Sequence, residues 1–255
     1  MKIYRYLDGK APRYGVLRED ALVPVRGSVF DDFVLEGAPV PLGQAALLAP
    51  AEPTKIVAVG RNYKDHAAEL GNPLPEEPLL FLKPSTAVIG PREAIVLPPS
   101  SRRVDFEGEL AVVIRRRASG LGEDEPVEPY ILGYACFNDV TARDLQEKDK
   151  QFTRAKSFDT FAAVGPCLAA GLDPGHLEIK TFLNGRLRQS SNTRHLIFPV
   201  PVLVRFISNI MTLLPGDIIA TGTPAGVGPM EAGDRVEVQV EGIGTLSNDV
   251  RRSPK

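Results

Sequence analysis

Chain-breaking residues punctuate this sequence from end to end: 23 glycines and 23 prolines are spread over 255 residues. Helix interiors tolerate neither residue well, and strands end readily at both. Such a chain folds as many short strands joined by tight turns, with few long helices. It is long enough to bury a large core, and 43% apolar with 24% charged residues is a globular balance, not a disordered one.

The first 50 residues read as a small N-terminal unit. KIYRYL, RYGVL and ALVPV are short strand candidates separated by turns such as Asp8-Gly9. A Pro/Ala-rich stretch, APVPLGQAALLAPAEP, follows as a linker with one short helix. The catalytic-sized remainder, 51–255, carries the longer apolar runs. KIVAVG (55–60), LLFLKP (79–84), AIVLPP (94–99), VDFEGELAVVI (104–114) and YILGYACFNDV (130–140) read as strands. IKTFLNGRL, with its Asn-Gly hairpin signal, GDIIATG and DRVEVQVEG extend the series. Helical patterns occur at NYKDHAAEL (62–70), closed by Gly71 and Pro73, at TARDLQEKDKQ (141–151), and at the apolar VPVLVRFISNIMTLL (200–214). Strands outnumber helices, and regular strand–helix–strand alternation is scarce. The expected fold class is therefore α+β and strand-rich, not a doubly wound sheet.

Several function classes drop out. A net charge of −2 offers no basic excess to grip nucleic acid. No run approaches the roughly 20 apolar residues of a membrane helix. The opening MKIYRYLDGK has no apolar stretch behind a basic start, so the expected location is cytoplasmic. Two cysteines, Cys136 in an apolar run and Cys167 after a Gly-Pro turn, make no disulfide framework. Phosphate-loop, GxGxxG, GxSxG and HExxH motifs and zinc-ligand spacings are absent.

Strand alternation in VDFEGELAVVI puts Asp105, Glu107 and Glu109 on one face and Val104, Phe106, Gly108 and Leu110 on the other. Neighbouring acids repel unless something positive lies above them. A solvated face carries such a pattern, but this run leads straight into AVVI, which reads as buried on both faces. Gly108, between the two glutamates, allows close backbone approach. The chemistry this suggests is a hard divalent cation, Mg²⁺ or Mn²⁺, on oxygen ligands, with a third carboxylate from elsewhere. Asp139, between an apolar strand and a polar helix, is the candidate, a helix cap being the alternative. Arg143 and Gln146 follow on one helix face, pointing into the same site or lying on the surface.

His66 and Glu69 stand side by side on the 62–70 helix. A carboxylate-backed imidazole can move a proton or activate water; a surface ion pair is the alternative. Lys83 (FLKP) and Lys156 (RAKSFDTF) lie in apolar surroundings, where a lysine either snorkels or meets a carboxylate or an anionic ligand. In TGTPAGVG (221–228) the exposed amides and the Thr221 and Thr223 hydroxyls can hold a carboxylate, although a plain turn has the same composition.

Taken together, seven segments resemble the fumarylacetoacetate hydrolase family: GRNYKDHAAELG (60–71), FLKPSTAVIGP (81–91), VDFEGELAVVI (104–114), GYACFNDVTARDLQ (133–146), KSFDTFAAVGP (156–166), FLNGRLRQSSNT (182–193) and GDIIATGTPAGVG (216–228). They occur in family order over about residues 53–250, and the first 50 residues resemble the small leading domain of shorter bacterial members. The resemblance implies a mixed, rolled β-sandwich with few helices, assembled as a homodimer. It implies a Mg²⁺ (or Mn²⁺) site of Glu107, Glu109 and Asp139 with Lys156 beside the metal. It implies that Arg143 and Gln146 face the substrate, joined there by Arg61, Tyr63 and Lys83, and that the loop at Thr223 binds a carboxylate. His66 and Glu69 match a dyad carried on a short helix that orders over the site. One departure stands out: many members read N-T-S-D-M-I-F where this chain reads NTRHLIF (192–198), so Arg194 and His195 replace a Ser-Asp pair.

The implied activity is metal-stabilised enolate chemistry on a 2-oxo or 2-hydroxydienoate diacid. The first expectation is 2-hydroxyhepta-2,4-diene-1,7-dioate isomerase of aromatic catabolism, with decarboxylation within reach of the same site. An acylpyruvate or fumarylpyruvate hydrolase, or an oxaloacetate decarboxylase, is the alternative. A non-catalytic diacid-binding relative is the alternative of another class.

Overall fold

Residues 1–64 and 75–253 are described by a computed structural model. Its spine is the strand Gly108–Ile114, GELAVVI, buried at every residue. Small and branched apolar side chains suit a strand covered on both faces. It pairs antiparallel with Ile131–Asp139 on one side and Ile218–Ala220 on the other. These strands lie in a 13-stranded mixed sheet. Its main order is Phe33–Leu35, Ala21–Gly27, Ala11–Arg18, Lys2–Asp8, Ala162–Ala169, Ile131–Asp139, Gly108–Ile114, Ile218–Ala220, Lys55–Gly60, Leu79–Pro84. Along this path the one parallel pair is Ile218–Ala220 with Lys55–Gly60. The three opening strands join the sheet where Lys2 and Ile3 pair with Ala169 and Leu168.

A second sheet runs in the order Ile95–Leu97, Gly244–Arg252, Arg235–Val240, Glu178–Leu183, Arg186–Asn192. Its buried Ile179, Val236, Val238 and Leu246 share one core with Leu110, Val112 and Cys136 of the large sheet. Ala111, Val113, Ala135, Phe137 and Ala220, on the alternate positions of the same strands, form a core on the other face. The period-2 pattern is thus buried twice over, as in a sandwich.

Four expectations change. The run 104–114 is not one strand: it breaks at Glu107, and Val104–Phe106 pairs instead with Thr141–Ala142 and Gly228–Pro229. Because Thr141–Ala142 takes that pairing, the helix expected over 141–151 is Arg143–Asp149, ending on Lys150 at φ 58°. The apolar helix expected over 200–214 is Val200–Ser208; the Asn209 side chain turns back onto the carbonyls of Arg205 and Leu121. Gly165-Pro166, which reads as a turn, lies inside the strand Ala162–Ala169. The Asn184-Gly185 hairpin is as expected, with φ of 53° and 73° at its two loop residues. Of the helix expected over 62–70, residues 65–70 lie outside the described residues; Asn62 is not helical, and Tyr63 bridges to Leu196. Among the described residues no helix is long and apolar enough to cross a membrane.

Candidate functional site

Register assembles the acids. Gly108 pairs with Asn138 and Glu109 with Phe137, so Glu107 falls opposite Asp139 at the end of the strand pair. The Asp139 N–H donates to the Glu107 carbonyl at 2.8 Å, and the Asn138 side chain accepts from the Glu107 N–H at 3.0 Å. Cross-strand partners share a face, so the three carboxylates point the same way. One oxygen from each of Glu107, Glu109 and Asp139 lies within 4.8 Å of the others, and all three residues are buried. Asp139 caps no helix: the N-cap position of Arg143–Asp149 is Ala142.

Basic groups surround two of these acids. Lys156 Nζ donates to Glu107 Oε2 at 2.8 Å and to Asp139 Oδ2 at 2.6 Å, and lies 5.0 Å from the Phe81 ring centre. Lys83 Nζ, fully buried, donates to Asp139 Oδ1 and to the Val140 carbonyl. Arg143 Nη2 donates to Glu107 Oε1 at 2.5 Å, Nη1 to Gln146 Oε1 at 2.7 Å, and Nε to Asp105 Oδ2 at 3.1 Å. Asp105, outside the three-acid cluster, also takes both Nε and Nη2 of Arg103. Buried charges persist only when paired this closely.

Ionisation follows the pairing. Burial alone would raise the Glu107 carboxyl, but Lys156 and then Arg143 outweigh it and hold it at about 2. The Lys156 ammonium sits above its ordinary value, because Asp139 and Glu107 overcome its burial. Burial pushes the Lys83 ammonium down, against the opposing charge of Asp139. Burial, and then the charges of Asp139 and Glu107, push Glu109 well above the usual carboxylate range. Among the described residues its one hydrogen bond comes from the Gly222 N–H, 2.8 Å from Oε2. Among the described residues Glu109 has no ion-pair partner, unlike Glu107 and Asp139. Three carboxylate oxygens, one of them short of a counter-charge, are the donor set of a hard divalent cation.

Gly108 and Gly222 permit the close approaches here. A Cβ at Gly108 would stand 2.0 Å from Thr181 Oγ1 of the second sheet. Gly222 has φ 101°, and a Cβ there would stand 2.8 Å from the Asn62 Cβ. Asn62 is fully buried and donates to the carbonyls of Phe198 and Thr221, while its Oδ1 accepts from the Phe198 N–H. The threonine hydroxyls expected to hold a carboxylate are committed elsewhere. Thr221 donates to the Leu110 carbonyl and Thr223 to the Gly108 carbonyl, each at 2.9 Å. Whatever that loop offers an anion is therefore not a hydroxyl proton.

The acids open onto a cavity of about 340 Å³ that is also lined by Arg61, Phe81, Arg143, Gln146, Lys150, Lys156 and Thr223. Lys83 and Tyr63 are not among its lining residues; among the described residues the buried Tyr63 hydroxyl has no hydrogen-bond partner, and its burial and the Glu109 charge raise its pKa. Arg194 donates to His195 Nε2 at 3.3 Å, and neither residue lines the cavity. His66 and Glu69 lie outside the described residues. Sequence reasoning missed Asn62 and Gln189. For Gln189 the one available signal was a polar residue at an inward position of a strand, and only the register shows which positions those are; Asn62, outside any strand, carried no such signal.

The sequence matches the family described as Fumarylacetoacetate (FAA) hydrolase C-terminal over residues 55–251, and one described as Rv2993c-like, N-terminal, over residues 1–50. The structure is similar to the 2-hydroxyhepta-2,4-diene-1,7-dioate isomerase from Mycobacterium marinum, with a TM-score of 0.92, 42% identity and 100% of both chains covered. It is similar to the maleylpyruvate hydrolase from Sphingobium sp. SYK-6 in complex with manganese(II) ion and pyruvate, with a TM-score of 0.83, 31% identity and 100% of both chains covered. The sequence is 41% identical over 224 residues to the mitochondrial oxaloacetate tautomerase FAHD2B of Bos taurus, covering 83% of this chain and 71% of that protein.

Proposed function

The chain belongs to the fumarylacetoacetate hydrolase family, and from that membership and its buried acids we propose a divalent-metal enzyme acting on 2-oxo and 2-hydroxydienoate diacids. The reaction we assign is the isomerisation of 2-hydroxyhepta-2,4-diene-1,7-dioate.

The observation that carries this reading is the charge around the cavity. Asp105, Glu107, Glu109 and Asp139, when ionised, supply four negative charges. Lys83, Lys156, Arg143 and Arg103 supply four positive ones; on the cavity wall Arg61 and Lys150 add two more, and Glu147 one negative charge. A divalent cation on the three-acid cluster leaves three positive charges in excess. A dicarboxylate offsets most of that excess, where a neutral ligand offsets none of it.

When bound, Mg²⁺ or Mn²⁺ supplies Lewis acidity toward a 2-oxo group, lowering the cost of negative charge that develops as a proton leaves the neighbouring carbon. Lys156 holds Glu107 and Asp139 in their orientation and presents its charge to the cavity wall. Arg143, fixed by Asp105 and Gln146, is placed to take a substrate carboxylate, with Arg61 on the same wall. His66 and Glu69 are assigned the proton transfer on their sequence spacing. The isomerase and tautomerase relatives support proton movement as the net reaction. Hydrolysis of a carbon–carbon bond is the second reading, favoured by the maleylpyruvate hydrolase likeness.

The test is incubation with Mg²⁺ or Mn²⁺ and a panel of 2-hydroxyhepta-2,4-diene-1,7-dioate, oxaloacetate, acetylpyruvate and fumarylpyruvate, followed by ultraviolet absorbance with chelator controls. Chelator-sensitive isomerisation without release of pyruvate or CO₂ supports the assignment. Release of pyruvate from acetylpyruvate or fumarylpyruvate moves it to the hydrolase reading, and release of pyruvate with CO₂ from oxaloacetate to a decarboxylase. Bound metal with no turnover of any substrate sinks the enzymatic reading in favour of a diacid-binding protein.

A further inference from the structure

Gln189 is fully buried in Arg186–Asn192, a strand whose other residues are exposed or half-buried. Its side-chain amide closes a ring of hydrogen bonds. The Gly108 N–H donates to Oε1 at 3.0 Å, and Nε2 donates to Thr223 Oγ1 and to the Pro224 carbonyl, each at 2.8 Å. The orientation of the amide is unambiguous, because an N–H only donates and a carbonyl only accepts. Thr223 Oγ1, accepting from Nε2, completes the ring by donating to the Gly108 carbonyl. One amide thus joins three segments: the strand of acid ligands, the second sheet, and the loop whose Thr223 lines the cavity.

We propose that Gln189 is a positioning residue: it locks the loop at Thr223–Pro224 onto Gly108, so that the anion-receiving wall of the cavity keeps one geometry beside the cation site. The proposal rests on reading that cavity as the site of a metal and a 2-oxo acid. The strand register that places Glu107, Glu109 and Asp139 does not pass through Gln189. Replacing the amide therefore loosens the wall and leaves the acids in place.

Gln189→Leu keeps the bulk and removes both donors and the acceptor. Its control is Thr181→Val: Thr181 pairs with Gln189 in the hairpin, is as deeply buried, and among the described residues its hydroxyl makes no hydrogen bond. Mn²⁺ affinity is read by paramagnetic resonance on the full chain, then pyruvate affinity of the Mn²⁺-loaded protein by calorimetry. In Q189L, Mn²⁺ affinity stays within about threefold and pyruvate affinity falls about tenfold, the size set by one or two neutral hydrogen bonds. T181V matches wild type in both. If Q189L does not fold, Gln189→Asn, with its amide one carbon short, shows the same split. A lower melting temperature with pyruvate affinity unchanged makes Gln189 merely structural and overturns the proposal alone. Wild-type protein that takes up neither Mn²⁺ nor pyruvate overturns the functional reading, and this proposal with it.

Discussion

A single methyl group at Gly108 is expected to force the two sheets apart at the acid cluster. In Gly108→Ala the new Cβ would stand 2.0 Å from Thr181 Oγ1, 3.2 Å from Gln189 Oε1 and 3.3 Å from Thr181 Cβ. Carbon and oxygen repel steeply at 2.0 Å, so the strands must part by about 1 Å. Thr181 has little room to retreat. It is β-branched, fully buried, and paired on both sides, to Gln189 and to Val238. Overpacking of this kind costs about 1–3 kcal/mol, and stretching the Gly108–Gln189 hydrogen bond adds about 1 kcal/mol. The sum, about 2–4 kcal/mol, is a large fraction of a typical domain's stability. Urea unfolding measures it, with Mn²⁺ titration as a second readout. Thr181→Ala removes the offending oxygen and leaves a carbon at 3.3 Å, a distance that small adjustments absorb. The double mutant G108A/T181A should therefore recover most of the loss, a coupling of about 1–3 kcal/mol. Either G108A as stable as wild type, or a double mutant that recovers nothing, would refute this account of why a glycine separates the two glutamates.

Four further outcomes follow from the structure. Glu109→Gln should fold normally, since it removes one of three mutually repelling carboxylates. Its Mn²⁺ affinity should fall at least about 100-fold by calorimetry, because even outer partners of metal ligands are worth about 10–100-fold. Chelation should abolish pyruvate binding, and Mn²⁺ should tighten pyruvate by the same large factor by which pyruvate tightens Mn²⁺; a factor of one in both directions would show separate, uncoupled sites. Asp217 is buried and accepts from the N–H groups of Thr54, Lys55 and Leu214, the Thr54 hydroxyl and the Lys55 ammonium, so Asp217→Ala should lose about 3–5 kcal/mol in urea. Burial raises the Asp217 carboxyl, but donors from Lys55, Leu214 and Thr54 outweigh it and depress its pKa. A depressed carboxylate stabilises the fold fully above its unfolded value near about 3.9 and loses that contribution as pH falls through the folded value. Wild type should therefore lose stability more steeply than Asp217→Asn below about pH 4.

The strands that were legible in the sequence are those bounded by turn residues. KIVAVG and LLFLKP occupy 55–60 and 79–84 as expected, and the Asn-Gly pair sets the hairpin between Glu178–Leu183 and Arg186–Asn192. Local punctuation failed where the sheet overrides it. AAVGPCLA carries a Gly-Pro pair in its middle and looks like a turn, yet it is a central strand whose irregularity is absorbed by a register shift between Tyr134 and Cys136 opposite. VDFEGELAVVI looks like one strand, yet it changes partners at Glu107, because a single segment can serve two sheets only by bending between them. Nothing local marks that bend.

The acids of the site were legible for a different reason: alternation is a local property, and Glu107 and Glu109 share a face whatever pairs with them. Lys83 and Lys156 were legible as misfits, charged residues in apolar runs, but not which acid each serves. That depends on Asp139 lying across from Glu107, a fact of register. Thr223 shows the limit from the other side: composition identifies a hydroxyl near the cavity, and only the surrounding acceptors decide where its proton goes. The same holds for Glu109. In the sequence it is one of two equivalent glutamates flanking a glycine. In the fold Glu107 has Lys156 and Arg143, Asp139 has Lys83 and Lys156, and among the described residues Glu109 has no cation. Three acids each paired with a base would make a self-contained ion network with no need of a metal. It is the inequality among them, created by tertiary packing, that suits the cluster to a divalent cation.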